Sequence, residues 1–173
     1  MISIKRYVFD LDNTLIYTDS LNNVSYNYAL NLQGFAPINN CKRITRDVVF
    51  NKFPDLNNAQ KNEIIELKQG YFMNNLKSTI PNISLLQVLK AQDVEICMLW
   101  TSSDEPRALA ILEYYKICKA FRKILFSNKV DVIQDIEKIT EFLECDLENL
   151  VFFEDNRSVI QDLQQLKLNV ISV

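Results

Sequence analysis

Five short apolar runs punctuate the chain: Arg6 to Asp10, Val94 to Trp100, Lys123 to Phe126, Leu150 to Phe153 and Leu168 to Val173. They are continuous rather than alternating, the pattern of strands buried on both faces. Segments of helical period lie between them. Leu109, Leu112 and Tyr115 mark one, and Val159, Leu163 and Leu166 mark another. Val132, Ile136, Ile139 and Leu143, spaced four, three and four, mark the clearest. Strand and helix in steady alternation predict an α/β fold, a Rossmann-like parallel sheet with right-handed crossovers.

The interval between the first and second runs is too long for one crossover. Leu21, Val24, Tyr28 and Leu32 suggest a helix that starts after Asp19 or Ser20 and stops at Gly34. Thr45 is placed to cap a short helix ending before Pro54. Ala59 to about Leu76 reads as a longer helix with Ile64, Leu67, Tyr71 and Phe72 as its apolar face, and Ser84 to Ala91 as a crossover back to the sheet. Residues 16–79 therefore read as a small helical insertion with no strand signal. Residues 1–15 and 80–173 read as the α/β core.

Composition narrows the chemistry. At 173 residues, with 48% hydrophobic and 24% charged positions, the chain is an ordinary globular size and make-up. A net charge of −3 argues against a general nucleic-acid binder. Histidine is absent, which excludes histidine triads, histidine zinc sites and histidine acid/base catalysis. Only two glycines occur, so no glycine-rich phosphate loop is available. Cys41, Cys97, Cys118 and Cys145 form no C-x-x-C pair, and buried thiols are expected, in particular at Cys97 and Cys118. No apolar run reaches the ~20 residues that span a bilayer, so no membrane partner is expected. Lys5 and Arg6 lead straight into a strand rather than a signal-peptide core, and a reducing cytoplasm is the expected setting.

The residues at the strand ends carry the chemistry. Ligands of a parallel sheet bind beyond the carboxyl ends of its strands. There the first run ends in Asp10, Asp12 and Thr14, and the second in Thr101, Ser102 and Ser103. Asn128 and Lys129 follow the third, and Glu154, Asp155 and Asn156 close the fourth. Asp10 and Asp12, one residue apart, fall on one side of an extended backbone, where their repulsion calls for a cation or a shared proton. Mg²⁺, a hard ion that prefers oxygen ligands, is the natural counter-ion. Hydroxyl groups and an ammonium beside it suit a phosphoryl group. Ser102 and Ser103 also suit capping of a helix that begins near Asp104.

These motifs, in this order, resemble those of the haloacid dehalogenase-like hydrolase superfamily over the full chain. Phe9-Asp10-Leu11-Asp12-Asn13-Thr14-Leu15 looks like its first motif. Thr101 closes its second, Lys129 fits its third, and Phe152-Phe153-Glu154-Asp155-Asn156 its fourth. The insertion resembles the family's C1 cap. The resemblance implies that Asp10 is a nucleophile and Asp12 a general acid and base. It implies that Thr101, Ser102 and Lys129 bind the phosphate, and that Asp10, Asp12 (through its main-chain carbonyl) and Asp155 hold Mg²⁺. An acid at position 12 favours phosphoryl transfer over dehalogenation. Three departures stand out. Glu154 replaces a more usual Gly or Asp and either adds a metal contact or crowds the site. Val130 follows Lys129 where proline is common. No second aspartate follows Asp155 by four or five residues, which leaves Asn156 or Ser158 to position a metal-bound water, whereas Asp162 reads as a solvated helix residue.

The expected activity is that of a Mg²⁺-dependent phosphomonoesterase acting on a small phosphorylated metabolite: a sugar phosphate, a nucleoside monophosphate or phosphoglycolate. A phosphomutase of the same superfamily and a catalytically silent binding protein on this scaffold are the alternatives. Substrate choice is expected in the insertion, where Arg43, Arg46 and Lys52 could grip an anion, although basic residues on a short helix are usually a solvated face. The oligomeric state is not legible.

Overall fold

The computed structural model describes residues 4–39 and 41–173. Residues 1–3 of the expected core and residue 40 of the insertion lie outside the described residues. The chain runs β1 (Arg6–Phe9), β2 (Ile16–Tyr17), α1 (Asp19–Leu32), α2 (Arg46–Lys52), α3 (Asn58–Asn74), β3 (Ile80–Pro81), α4 (Ile83–Lys90), β4 (Cys97–Thr101), α5 (Glu105–Tyr114), β5 (Lys123–Phe126), α6 (Val132–Leu143), β6 (Leu150–Glu154), α7 (Arg157–Gln165) and β7 (Asn169–Ser172). It divides into two compact units, Met1–Ile16 with Pro81–Val173, and Tyr17–Ile80.

The first unit is built on a parallel sheet of order β5-β4-β1-β6-β7. In register, Phe9 of β1 stands opposite Leu99 of β4 and Phe153 of β6. From β1 the chain steps out to β4 and β5 and then crosses back to β6 and β7 on the other side of β1, so the strand order reverses there, the place beyond whose carboxyl ends such sheets bind their ligands. Alternate residues fill the two faces. Val8, Met98, Trp100, Leu150 and Phe152 pack with Val132, Ile136, Ile139 and Leu143 of α6 and with Val159 and Leu163 of α7. On the other face Phe9 stacks on Phe153 with ring centroids 4.8 Å apart. The α6 stripe read from the spacing is buried in full.

Elsewhere burial departs from the apolar spacing, and polar groups explain why. Helix α5 buries Arg107, Ala108, Ile111 and Leu112, while Leu109 is exposed. Leu166, expected on the α7 stripe, is exposed at the C-cap. The run Val94 to Trp100 opens as a 3₁₀ turn, Val94–Ile96, capped by Asp93, whose carboxylate accepts the Glu95 N–H at 3.0 Å. Only Cys97–Thr101 is strand. Cys97 is buried, whereas Cys118 is exposed in a 3₁₀ turn, against expectation; all four thiols are free.

In the second unit α1 packs along α3. The buried face of α1 is Leu21, Asn22, Ser25, Tyr26, Ala29 and Leu30, and the expected Val24, Tyr28 and Leu32 are exposed. Burial of the polar pair is feasible because both side chains find carbonyls. Asn22 Nδ2 donates to Ile44 O at 2.8 Å, and Ser25 Oγ to Leu21 O at 2.6 Å. Thr45 does cap α2, its hydroxyl accepting the Val48 N–H at 3.3 Å. A capping box of Asn57 and Gln60 opens α3. Lys68 is buried with its ammonium 5.0 Å from the Tyr26 ring and 5.5 Å from Phe72. The expectation of no strand in residues 16–79 fails at β2, which pairs with β3 just beyond that range. Two residues are too few to show a period. Among the described residues no helix is long and apolar enough to cross a membrane.

Phe152 is 1% exposed and meets Trp100 edge to face at 5.9 Å. Phe152→Ala is expected to lower unfolding free energy by about 3–5 kcal/mol, read from urea denaturation. A loss no larger than that of a surface substitution would contradict this packing.

Candidate active site

Strand β1 ends at Phe9, and Asp10 is still tied to β6, its N–H donating to Phe153 O at 3.0 Å. A tight turn follows. The N–H groups of Thr14, Leu15 and Ile16 all reach back to Leu11 O, and Asn13 takes φ of 60°. Asparagine tolerates that left-handed conformation better than most residues. The turn leaves Asp10 and Asp12 both buried beside it.

Lys129 crosses to them from the loop after β5. Its Nζ lies 2.6 Å from Asp10 Oδ1 and 2.6 Å from Glu154 Oε2, so one ammonium bridges the ends of β1 and β6. Asp10 is 6%, Glu154 2% and Lys129 8% exposed. Burial is the largest influence on Asp10 and raises its pKa to about 7; Lys129 opposes the rise, and Glu154 and Asp12 add to it. Burial works against the Lys129 charge, but Asp10 and Glu154 outweigh it and raise its pKa. The other oxygen of Glu154 accepts the N–H groups of Asp155 and Asn156 at 3.1 and 3.0 Å. Glu154 thus anchors both the lysine and the loop that presents Asp155. Lys129 itself sits at φ 57°, a conformation that costs a non-glycine residue about 1–2 kcal/mol.

Arg107 was not singled out in the sequence. Its Nη2 donates to Asp12 Oδ1, and both side chains are buried. The signal was available in outline: an arginine in the first turn of the helix that follows Thr101 is carried to the same strand ends. The apolar stripe drawn through Leu109 obscured it.

At the end of β4, Thr101 is buried and its hydroxyl accepts the Ser103 N–H at 3.1 Å. Ser102 is exposed. Ser103 is buried instead, with an Oγ that has no hydrogen-bond partner among the described residues. Neither serine caps the next helix, whose N-cap is Asp104. Asn156, considered for a water, caps α7 through its Oδ1 to the Ser158 N–H at 3.0 Å. Thr14 Oγ1 donates to Asp155 Oδ1 at 3.5 Å.

Asp10, Glu154 and Asp155 each offer a carboxylate oxygen, and these lie within 4.8 Å of one another. The Asp12 carboxylate is not in that group. Lys129 pairs with Asp10 and Glu154, and Arg107 with Asp12, so cations and carboxylates are interleaved at this edge. Three clustered carboxylates, an all-oxygen donor set, fit a hard divalent cation such as Mg²⁺.

A family model described as haloacid dehalogenase-like hydrolase matches residues 7–173. No curated protein matches the sequence. Solved structures share the fold at low identity. A predicted phosphoglycolate phosphatase from Haemophilus somnus has TM-score 0.82 and 16% identity, with 99% of this chain and 86% of that one covered. A haloacid dehalogenase-like hydrolase from Streptococcus pneumoniae has TM-score 0.73 and 17% identity, covering 99% and 85%. CbbY from Rhodobacter sphaeroides, in complex with xylulose-(1,5)bisphosphate, has TM-score 0.75 and 17% identity, covering 98% and 85%.

Two predictions follow from the charges. Asp10 binds a proton in the folded chain between its ordinary value of 3.8 and about 7, where the unfolded chain has released it. Its contribution to stability is complete below the lower value and is lost as pH rises through the upper one. In metal-free buffer the urea midpoint of the wild type should therefore fall across that window relative to Asp10→Asn. Parallel profiles would contradict the assignment. Arg107→Met removes the cation beside Asp12 and should destabilise the fold by about 3–5 kcal/mol in the same assay. A loss within the error of the measurement would mean that the pair is not buried as described.

Proposed function

The chain belongs to the haloacid dehalogenase-like hydrolases, and from that premise we propose that it is a Mg²⁺-dependent phosphomonoesterase acting on a small phosphorylated metabolite. The observation that carries this reading is the pair Asp10 and Asp12, buried side by side but held by different cations, Lys129 and Arg107. Two carboxylates in different surroundings can take different roles. Sugar phosphates, nucleoside monophosphates and phosphoglycolate are the candidate substrates. Four free thiols support a reducing compartment such as the cytoplasm.

Asp10 attacks phosphorus, forming an aspartyl-phosphate as the ester P–O bond breaks. Asp12 gives a proton to the departing oxygen. It then takes a proton from the water that attacks the same phosphorus, and this step frees inorganic phosphate and restores the Asp10 carboxylate. Thr101 and Lys129 hold phosphoryl oxygens and offset the charge that builds on them. Ser103, with its buried hydroxyl, is better placed than Ser102 to add a donor. Mg²⁺ would be held by Asp10, the main-chain carbonyl of Asp12 and Asp155, with Glu154 beside them, and when bound it supplies positive charge to the phosphoryl group.

A panel of phosphorylated metabolites, assayed for phosphate release with Mg²⁺ and with excess chelator, tests the reading. Release should need the metal. Asp10→Asn should abolish it while the protein stays folded. Asp12→Asn should slow alkyl phosphates more than p-nitrophenyl phosphate, whose leaving group needs little protonation. Full activity in chelator, or wild-type rates in Asp10→Asn, would sink the proposal.

A further inference from the structure

Lys129 has no proline after it to stiffen its loop; Val130 follows, 80% exposed. Yet Lys129 adopts a left-handed conformation and reaches two carboxylates at once. A partly buried chain of hydrogen bonds behind it explains how. The Lys129 N–H donates to Ser127 Oγ at 3.1 Å. Ser127 Oγ donates in turn to Asp135 Oδ2. The same Asp135 oxygen accepts Trp100 Nε1–H at 3.0 Å. Finally, the Trp100 ring lies beneath the Lys129 ammonium, 4.6 Å from ring centroid to Nζ. Backbone and head group of one lysine are thus both referred to one carboxylate on α6.

We propose that Asp135 and Ser127 are positioning residues, which set the place of Lys129 through its backbone and through Trp100. The proposal rests on reading Lys129 as the ligand of phosphoryl oxygens. Direction in the chain is fixed by chemistry. An ionised carboxylate only accepts, so the Ser127 hydroxyl must point its proton at Asp135 and offer a lone pair to the Lys129 N–H. Asp135 is 3% exposed, deeper than a first-turn acid needs to be to favour a helix N-terminus. Its other oxygen lies 3.9 Å from the half-exposed Lys138 ammonium, a longer contact. Both strong bonds therefore run to the sheet and the Lys129 loop. Cation–π contact with Trp100 favours the lysine head where the two carboxylates receive it.

Ser127→Ala breaks the bridge and removes no group that would touch substrate. With p-nitrophenyl phosphate and Mg²⁺, kcat should fall on the order of 10- to 100-fold, the usual effect of misplacing a catalytic group from behind. KM and the melting temperature should change little. Ser127→Thr keeps the hydroxyl and should recover kcat. Asp135→Asn keeps an acceptor oxygen and should stay near wild type, whereas Asp135→Ala should match Ser127→Ala. Trp100 is the only tryptophan, so its fluorescence gives a readout independent of activity. Its emission in Ser127→Ala should move in the same direction as in Lys129→Met. Wild-type kcat and wild-type emission in Ser127→Ala would overturn the proposal. So would a kcat loss that tracks a lower melting temperature and that threonine does not recover. A wild type inactive on every phosphomonoester would overturn the phosphatase reading alone, and the emission arm would then decide the placement of Lys129.

Discussion

Negative charge is concentrated where β1 and β6 end, and its neutralisation organises the first unit. Asp10, Asp12 and Glu154 are buried, and Asp155 is half-buried beside them. A carboxylate taken out of water without a partner is prohibitively costly, so it either finds a cation or takes up a proton. Both responses are present. Lys129 answers Asp10 and Glu154, Arg107 answers Asp12, and Asp10 in addition holds its proton to a higher pH than a free aspartate. Each cation comes from a different crossover, the loop after β5 and the first turn of α5. The parallel topology is what brings them together. On the proposed reading a divalent cation joins this balance, held by the clustered oxygens of Asp10, Glu154 and Asp155.

Much of this was legible in the sequence because parallel strands buried on both faces leave continuous apolar runs, and because the candidate site residues sit where those runs stop. Asp10, Asp12, Thr101, Lys129, Glu154 and Asp155 all fall at such ends. Helix α6 was legible for a related reason: its buried stripe is wholly apolar apart from Asp135. Helices α1 and α5 were not, since their buried faces include Asn22, Ser25 and Arg107. Spacing of apolar residues cannot reveal a polar side chain that is buried because its partner lies far away in sequence, as Ile44 O does for Asn22 and Asp12 for Arg107. Asp135 escaped notice in the same way, its partners standing on β4 and after β5. The pairing of β2 with β3 involves too few residues to leave any pattern.

Glu154 was weighed as a metal contact or as crowding. Its hydrogen bonds add a third part, a clamp that joins Lys129 to the loop presenting Asp155. That loop and the Lys129 loop therefore cannot shift independently without breaking a buried ion pair. On the proposed reading this couples the group that holds the phosphoryl oxygens to the group that holds the metal, and places both against the nucleophile.

Covalent chemistry at Asp10 is the central claim, and the most direct measurement of it is the site of phosphorylation during turnover. The protein would be mixed with Mg²⁺ and a hydrolysed phosphomonoester, quenched in acid, and its peptides weighed. The account predicts one added phosphoryl group on the peptide that contains Asp10, labile to hydroxylamine as an acyl phosphate is. A phosphoryl group on a hydroxyl residue such as Thr101, or turnover with no phosphorylated peptide and no incorporation under rapid quench, would contradict it.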